Sequence, residues 1–152
     1  MKTDYELLNA RLSALVEGER DLIANLANAS ALLMESMEGL NWAGFYLRRG
    51  EELVLGPFQG KVACIRIPLG RGVCGTAAAL DRVQLVPDVH AFPGHIACDS
   101  ASNAEIVLPL HHNGAVTGVL DLDSPEKGRF TGEDRAGLSA FAAILENACD
   151  WN

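Results

Sequence analysis

The most reactive side chains in this sequence belong to four cysteines, Cys64, Cys74, Cys98 and Cys149. They form no CxxC pair, and their spacing fits no common zinc motif. Cytosolic thiols are normally kept reduced, and a free cysteine most often packs as a small hydrophobe. The four residues are therefore either scattered buried thiols or the reagents of thiol chemistry.

Three acidic side chains form a second candidate group. Asp121 and Asp123 are two residues apart on a predicted strand, so their side chains leave the same face, and Glu105 opens the preceding strand. Paired acids on a strand usually form a solvated edge. If all three instead converge on one pocket, they cannot all ionise cheaply. One would then keep a proton that it can donate, while the ionised ones would bind an ammonium group.

Aromatic and histidine side chains are the remaining candidates. Trp42 and Tyr46 are four residues apart on a predicted strand and share one face, where they either pack in a core or line a cavity. An indole in a cavity could hold a methylthio group, since sulfur–aromatic contacts contribute about 0.3–1.5 kcal/mol. His111 and His112 are neighbours on a strand and point to opposite faces, so they cannot ligate one ion. We therefore predict no metal site.

These candidates must be positioned by helices and strands together. Apolar residues at three- and four-residue spacing predict helices over 4–17 and from 22 to near 39, and Thr131 caps a final helix. A glycine-rich turn at 70–75 leads into a short helix that ends at Leu80. Residues 87–105 form a long loop that contains Cys98.

The strand pattern predicts hairpins rather than crossover units. Asn113-Gly114 lies between two apolar runs, which is the strongest short hairpin signal. The predicted strands cover 41–47, 53–55, 63–67, 83–86, 106–112 and 115–123. This order predicts an α+β fold, with a mostly antiparallel sheet and helices packed against it.

Length and composition limit the possible partners. The chain has 152 residues with no linker or repeat, so we predict one domain over 1–152. A net charge of −8 argues against a nucleic-acid partner. No apolar run approaches the roughly 20 residues needed to cross a bilayer, and the N-terminus lacks a signal-peptide pattern. We therefore predict a cytoplasmic protein that binds neither nucleic acid nor membrane.

Six motifs occur in a fixed order along the chain. They are NWAGFY at 41–46, LGPFQG at 55–60, IP at 67–68 with GVCG at 72–75, HIACD at 95–99, SNAEIVLP at 102–109 and GVLDLDSP at 118–125. Together they resemble the free methionine-(R)-sulfoxide reductase family of GAF domains. The resemblance implies a GAF-like fold, in which N- and C-terminal helices flank a central antiparallel sheet and a loop covers a pocket.

The resemblance implies reduction of free L-methionine (R)-S-oxide without a bound cofactor. This reaction needs a thiolate that attacks sulfur, a proton donor for the oxygen, and a second thiol that removes the sulfenic acid as a disulfide. Cys98, in the flexible loop, is the predicted nucleophile, and Cys64, on a strand, is the predicted resolving thiol. Cys74 stays open as the partner of Cys98 or as the attacking thiol, because a helix N-terminus could lower its pKa. Cys149, at a frayed C-terminus, is predicted to be a bystander.

Substrate binding is assigned by the same resemblance to Trp42, Tyr46, Glu105, Asp121 and Asp123. The acids would hold the ammonium group of a free amino acid and reject a peptide, in which that nitrogen is an amide. Thioredoxin would reopen the disulfide, and we expect a homodimer. The alternative function is a sensor GAF module that binds a cyclic nucleotide or a chromophore. A sensor needs none of the thiols, whereas the reductase needs at least two.

Overall fold

The computed structural model describes residues 2–95 and 101–152, so Cys98 lies outside the described residues. The helices are α1 (Tyr5–Val16), α2 (Leu22–Ser36), α3 (Gly72–Leu80) and α4 (Gly132–Ala148), with a short 3-10 helix at Val89–Ala91. The strands are β1 (Trp42–Arg49), β2 (Glu52–Gly60), β3 (Arg66–Pro68), β4 (Gln84–Val86), β5 (Ala104–His112) and β6 (Ala115–Ser124). Among the described residues, no helix is long and apolar enough to span a membrane.

The strands form one sheet in the order β3-β2-β1-β6-β5-β4, and each neighbouring pair is antiparallel. The long strands β1, β6 and β5 lie at its centre, where the Asn113-Gly114 turn joins β5 to β6 as predicted. Asn113 and Gly114 both have positive φ, as this tight turn requires. The predicted α+β architecture with an antiparallel sheet is confirmed.

The two faces of the sheet carry different layers. Helices α1, α2 and α4 pack against one face and form with it the larger apolar core, which includes Leu12, Leu122 and Phe141. Helix α3 packs against the other face in a smaller cluster that includes Val107 and Val119. Because side chains alternate along each strand, β5 and β6 supply both layers.

Side chains cap the N-termini of α1 and α4, and the cap of α4 at Thr131 was predicted. Asp4 accepts a hydrogen bond from the Leu7 backbone N–H at 3.0 Å, which caps α1. At the start of α4 a capping box forms, in which Thr131 and Asp134 each satisfy the other's backbone N–H. Such caps pair the N–H groups that a helix leaves without partners, so they fix where each helix begins.

Two predicted element boundaries are wrong. The predicted strand over 63–67 is reduced to β3, which begins at Arg66 and includes Pro68. The sheet tolerates Pro68 because β3 is an edge strand, where a missing backbone N–H breaks no ladder. Residue Cys64 thus lies on the connection that precedes β3 and not on a strand. The predicted strand over 53–55 is also too short, since β2 extends to Gly60.

The C-terminal segment is packed rather than frayed. Cys149 is 2% exposed and Trp151 is 8% exposed, and both belong to the larger core. The Asn25 side-chain amide donates to the Cys149 sulfur at 3.6 Å. The sequence prediction of a frayed end was wrong because Cys149 and Trp151, which follow α4, are anchored by burial.

Candidate active site

A pocket opens on the face of the sheet that α3 covers. Strand β1 supplies aromatic side chains to it, the first turn of α3 supplies a thiol, and the neighbouring strands β5 and β6 supply carboxylates. The described residues that line it are Trp42, Tyr46, Val62, Ala63, Ile67, Arg71, Gly72, Val73, Cys74, His95, Ser102, Glu105, Asp121 and Asp123. All five residues predicted to bind substrate lie in this lining.

The three acids meet because of strand register. Glu105 on β5 lies opposite Asp123 on β6, and Asp121 is the next residue of β6 on the same face. Glu105 and Asp121 are only 8% and 4% exposed. Burial raises the pKa of Glu105 well above its ordinary value, and the charges of Asp121 and Asp123 raise it further. Burial also raises the pKa of Asp121.

Cys74 lies against this acidic group. Its Sγ donates to Oε2 of Glu105 at 3.8 Å. Burial raises the pKa of the Cys74 thiol well above its ordinary value, and the neighbouring carboxylates of Asp121 and Glu105 add to the effect. The sequence prediction that the start of α3 lowers this pKa is therefore wrong, because burial and nearby negative charge outweigh the helix terminus.

Close backbone packing holds α3 in this position. The Gly70 backbone N–H donates to the Gly75 carbonyl at 2.8 Å. A Cβ on Gly75 would collide with the carbonyl oxygen of Pro68. Glycine at 75 thus lets the first turn of α3 approach the end of β3, which brings Cys74 over the acids.

An aromatic wall closes the other side of the pocket. Trp42 stacks on Tyr46 with ring centroids 6.0 Å apart and on Phe58 at 5.1 Å. The Trp42 indole N–H donates to the Lys61 carbonyl at 3.2 Å, and the Tyr46 hydroxyl donates to the Cys64 carbonyl at 2.8 Å. The aromatic pair therefore ties the segment that carries Cys64 to the pocket wall.

The structure gives the bonding state of two of the three predicted redox cysteines. Cys64 is disulfide-bonded, and its neighbour Ala63 lines the pocket. Cys74 and Cys149 are free thiols. Cys98, the predicted nucleophile, lies outside the described residues, so its role stays a prediction.

The sequence analysis missed several residues of the pocket. His95 and Ser102 line it from the segment that precedes β5, and Ser102 accepts a hydrogen bond from the Asn41 amide at 3.1 Å. Burial lowers the pKa of His95, and nearby His90 lowers it further. His95 and Ser102 both lie within the six sequence motifs, and these motifs could have indicated their place in the pocket. Arg71 and Val62, exposed residues of the lining, had no such signal.

One group of side chains has the composition of a metal site. The ligand atoms of Cys74, Glu105 and Asp121 lie within 4.8 Å of one another, and all three residues are buried. No other cluster of this kind occurs within 2–95 and 101–152. The histidines take no part in it. Instead, the ring nitrogens of His111 contact Asp81 at 2.5 Å and Glu146 at 2.7 Å, which links the end of α3 to α4.

Comparison with known proteins identifies the family. The GAF domain family profile matches residues 11–149. The chain is 59% identical over 142 residues to the free methionine-R-sulfoxide reductase of Escherichia coli, covering 93% of this chain and 86% of that protein. It is 43% identical over 152 residues to the free methionine-R-sulfoxide reductase of Saccharomyces cerevisiae, covering 95% and 84%.

A solved structure shows the same similarity. The X-ray structure of free methionine-R-sulfoxide reductase from Neisseria meningitidis in complex with its substrate superposes with a TM-score of 0.92. It is 47% identical in sequence, and the match covers 95% of this chain and 87% of that one. The similarity thus extends over most of both chains. The chain belongs to the free methionine-R-sulfoxide reductase family of GAF-domain proteins.

Proposed function

We propose that this protein reduces free L-methionine (R)-S-oxide to L-methionine. The observation that carries the proposal is the convergence of Glu105, Asp121 and Asp123 in one pocket beneath the aromatic wall of Trp42 and Tyr46. Relatives that cover most of the chain are named for this activity, and one of them was solved with its substrate bound.

The acids suit the ammonium group of a free amino acid. Asp121 Oδ1 is buried and has no hydrogen-bond partner among the described residues, so a bound ammonium would supply the donor that it lacks. In a peptide the same nitrogen is an uncharged amide with one N–H. A peptide would leave buried acids unpaired, which gives discrimination in favour of the free amino acid.

The other end of the substrate suits the aromatic wall. Trp42 is buried in stacking contacts, so its indole is held in one orientation along the wall. A methylthio group placed against it gains a favourable sulfur–aromatic contact. Glu105 suits the role of proton donor, because burial raises its pKa and keeps a proton available near the sulfoxide oxygen.

Two cysteines carry the redox step of the proposal. The Cys98 thiolate attacks the sulfoxide sulfur to form an S–S bond while the oxygen is protonated. The resulting hydroxyl then moves from that sulfur to the Cys98 sulfur as the S–O and S–S bonds to it break, so methionine leaves with an electron pair on its sulfur and Cys98 becomes a sulfenic acid. The Cys64 thiol then attacks the sulfenic sulfur, which releases water and forms a disulfide. The state of the thiols supports Cys64 as the resolving residue, since it is disulfide-bonded while Cys74 and Cys149 are free.

An external dithiol must then restore the enzyme. Thioredoxin fits this role, because its low reduction potential of about −270 mV lets it reduce protein disulfides of higher potential. Its two thiols become a disulfide, and the two cysteines of this protein return to thiols. The homodimer and the cytoplasmic location stay predictions.

A coupled assay tests this function. The full chain is supplied with thioredoxin, thioredoxin reductase and NADPH, and NADPH consumption is followed separately with the (R) and (S) epimers of free methionine sulfoxide. We expect turnover with the (R) epimer and little with the (S) epimer. Absence of turnover with both epimers, although the reductase system reduces a control disulfide, would reject the proposed function in favour of a non-catalytic sensor.

A further inference from the structure

The buried group of Cys74, Glu105 and Asp121 contains a free thiol that the proposed sulfoxide reduction does not use. Its three ligand atoms lie within 4.8 Å of one another, and Cys74 Sγ is 3.8 Å from Glu105 Oε2. Tetrahedral zinc with bonds of about 2.3 Å to sulfur and 2.0–2.2 Å to oxygen separates such ligands by roughly 3.6 Å. The atoms are therefore close enough to ligate one metal ion after small side-chain shifts.

One buried carboxylate oxygen of this group is available to a cation. Asp121 is 4% exposed, lines the pocket, and leaves its Oδ1 without a hydrogen-bond partner among the described residues. The only cationic side chain in the described lining, apart from His95, is Arg71, which is exposed. Buried carboxylates without a buried counter-charge are unfavourable, and a bound cation would relieve this.

We propose that the pocket binds a thiophilic divalent cation, Zn²⁺, through Cys74 Sγ and the carboxylates of Glu105 and Asp121. Metal binding itself goes beyond the proposed reduction of sulfoxide and does not depend on it, whereas the competition with substrate described below rests on the proposed function. Three protein ligands leave the fourth position to water, the arrangement of an open zinc site.

The donor set selects the kind of metal. A cysteine sulfur is a soft ligand that Mg²⁺ and Ca²⁺ do not favour, whereas zinc accepts sulfur and oxygen together. Zinc would also displace the proton of Cys74 into solvent, because the thiolate is the ligand form. The exposed residues of the pocket lining, Val62 and Arg71, mark its opening to solvent and so the entry path of the ion.

Metal and amino acid would compete for the same carboxylates. Asp121 cannot hold an ammonium group and a zinc ion with the same oxygen. A protein loaded with zinc would therefore exclude the free amino acid, and release of the ion would reopen the pocket. Zinc thus acts as an inhibitory ligand and not as a cofactor.

Cobalt titration tests the site without any turnover. The full chain is kept with its Cys64 disulfide intact, so that Cys74 and Cys149 are the free thiols among the described residues. Co²⁺ replaces Zn²⁺ as the spectroscopic probe, and a thiolate-to-cobalt charge-transfer band reports sulfur ligation. We expect one Co²⁺ per chain with this band, and bleaching of the band when Zn²⁺ displaces it.

Matched variants identify the ligands. Cys74→Ala should abolish the band, Asp121→Asn should weaken cobalt binding at least tenfold, and Cys149→Ser should bind as the wild type does. Far-ultraviolet circular dichroism confirms that each variant is folded, and Glu105→Gln replaces Asp121→Asn if the latter does not fold. No sulfur band in the wild type, or a band that survives Cys74→Ala, would overturn the site. Metal binding by a chain that does not reduce sulfoxide would overturn only the proposed function.

Discussion

The two faces of the sheet use the same strands for opposite purposes. Leu122 of β6 points into the apolar core beneath α1, α2 and α4, whereas its neighbours Asp121 and Asp123 point into the pocket beneath α3. The first face gains stability by burying hydrocarbon, while the second buries carboxylates whose charge is unfavourable there. Adjacent residues of one strand therefore serve different roles, because alternate side chains point to the stabilising core and to the ligand-binding pocket.

The buried titratable groups of the pocket face lower the folding stability at neutral pH. Burial raises the pKa values of Glu105, Asp121 and Cys74, so folding at neutral pH must place groups where their charged forms are disfavoured. The core face contains a different kind of buried charge, since Arg129 contacts Asp134 at 3.4 Å within the capping network of α4. Asp134 is thus paired with a cationic side chain of the same protein, whereas Asp121 in the pocket has an oxygen without a hydrogen-bond partner among the described residues and can bind a ligand.

The largest effect is expected at the predicted nucleophile. Cys98→Ser should abolish turnover, because a hydroxyl at neutral pH is a far weaker nucleophile than a thiolate. Cys149→Ser is the matched control on the core face and should retain activity. Both are measured by NADPH consumption in the thioredoxin-coupled assay. Substantial turnover by Cys98→Ser would exclude Cys98 as the attacking residue.

Adjacent substitutions on β6 should separate the two faces. Leu122→Ala removes a fully buried side chain from the core and should lower the free energy of unfolding by about 2–5 kcal/mol. Its KM for the sulfoxide should stay near the wild-type value, since Leu122 points away from the pocket. Urea unfolding and steady-state kinetics measure the two quantities. A large rise in KM with little loss of stability would contradict the assignment of faces.

Asp121→Asn should give the reverse result. The change keeps size and removes charge, and loss of a charged hydrogen bond to the ammonium should weaken substrate binding by about 1.5–3 kcal/mol, roughly tenfold to over a hundredfold. Stability should not fall, because a buried charge is removed. Calorimetric titration with methionine sulfoxide, beside the same urea unfolding, checks both statements. Unchanged affinity would remove Asp121 from ammonium recognition.

Glu105→Gln should change the pH dependence of stability. The raised pKa of Glu105 stabilises the folded state at low pH, and this contribution is lost as pH rises above about 4.3, the ordinary value for glutamate. Glutamine does not titrate, so the variant should gain stability relative to the wild type as pH rises from 4 to 7. Thermal unfolding across this range measures the difference. A difference in melting temperature between the two proteins that stays constant with pH would show that folding does not raise the pKa of Glu105.

The smallest effect is expected at His111. Burial lowers the pKa of His111, but hydrogen bonds and charge interactions with Asp81 and Glu146 together outweigh it and raise this pKa above its ordinary value. A raised histidine pKa adds stability below about pH 6.5, and that stability is lost as pH rises through the higher folded value. His111→Gln should therefore lower the melting temperature slightly at pH 6 and less at pH 9. An equal loss at both values would indicate a packing role without a charge contribution.

Local sequence patterns predicted most of the fold, because turns and helix caps are determined by residues that are close in sequence. The Asn113-Gly114 turn requires positive φ at both positions, and the Thr131 cap lies next to its own helix. The end of β2 was not predictable in this way, because Gly60 pairs with Trp42 across the sheet. The packed position of Cys149 likewise depends on Asn25, far away in the sequence.

The sequence predicted which residues form the site better than it predicted their pKa values. Alternation along β6 correctly placed Asp121 and Asp123 on one face, and register then brought Glu105 opposite Asp123. The pKa of Cys74 was predicted in the wrong direction, because the sequence shows the helix start but not the carboxylate 3.8 Å from the sulfur. Such contacts depend on how α3 packs against the sheet, which Gly75 permits by its lack of a Cβ.

The role of the pocket acids can be tested by comparing two substrates that differ only at the nitrogen. The measurement is kcat/KM of the wild type for free L-methionine (R)-S-oxide and for its N-acetyl derivative, which has no ammonium group. We expect the free amino acid to be preferred by at least tenfold, since the charged hydrogen bonds are worth about 1.5–3 kcal/mol, and Asp121→Asn should narrow the preference. Equal kcat/KM for the two substrates would contradict the recognition of a free amino acid by Glu105, Asp121 and Asp123.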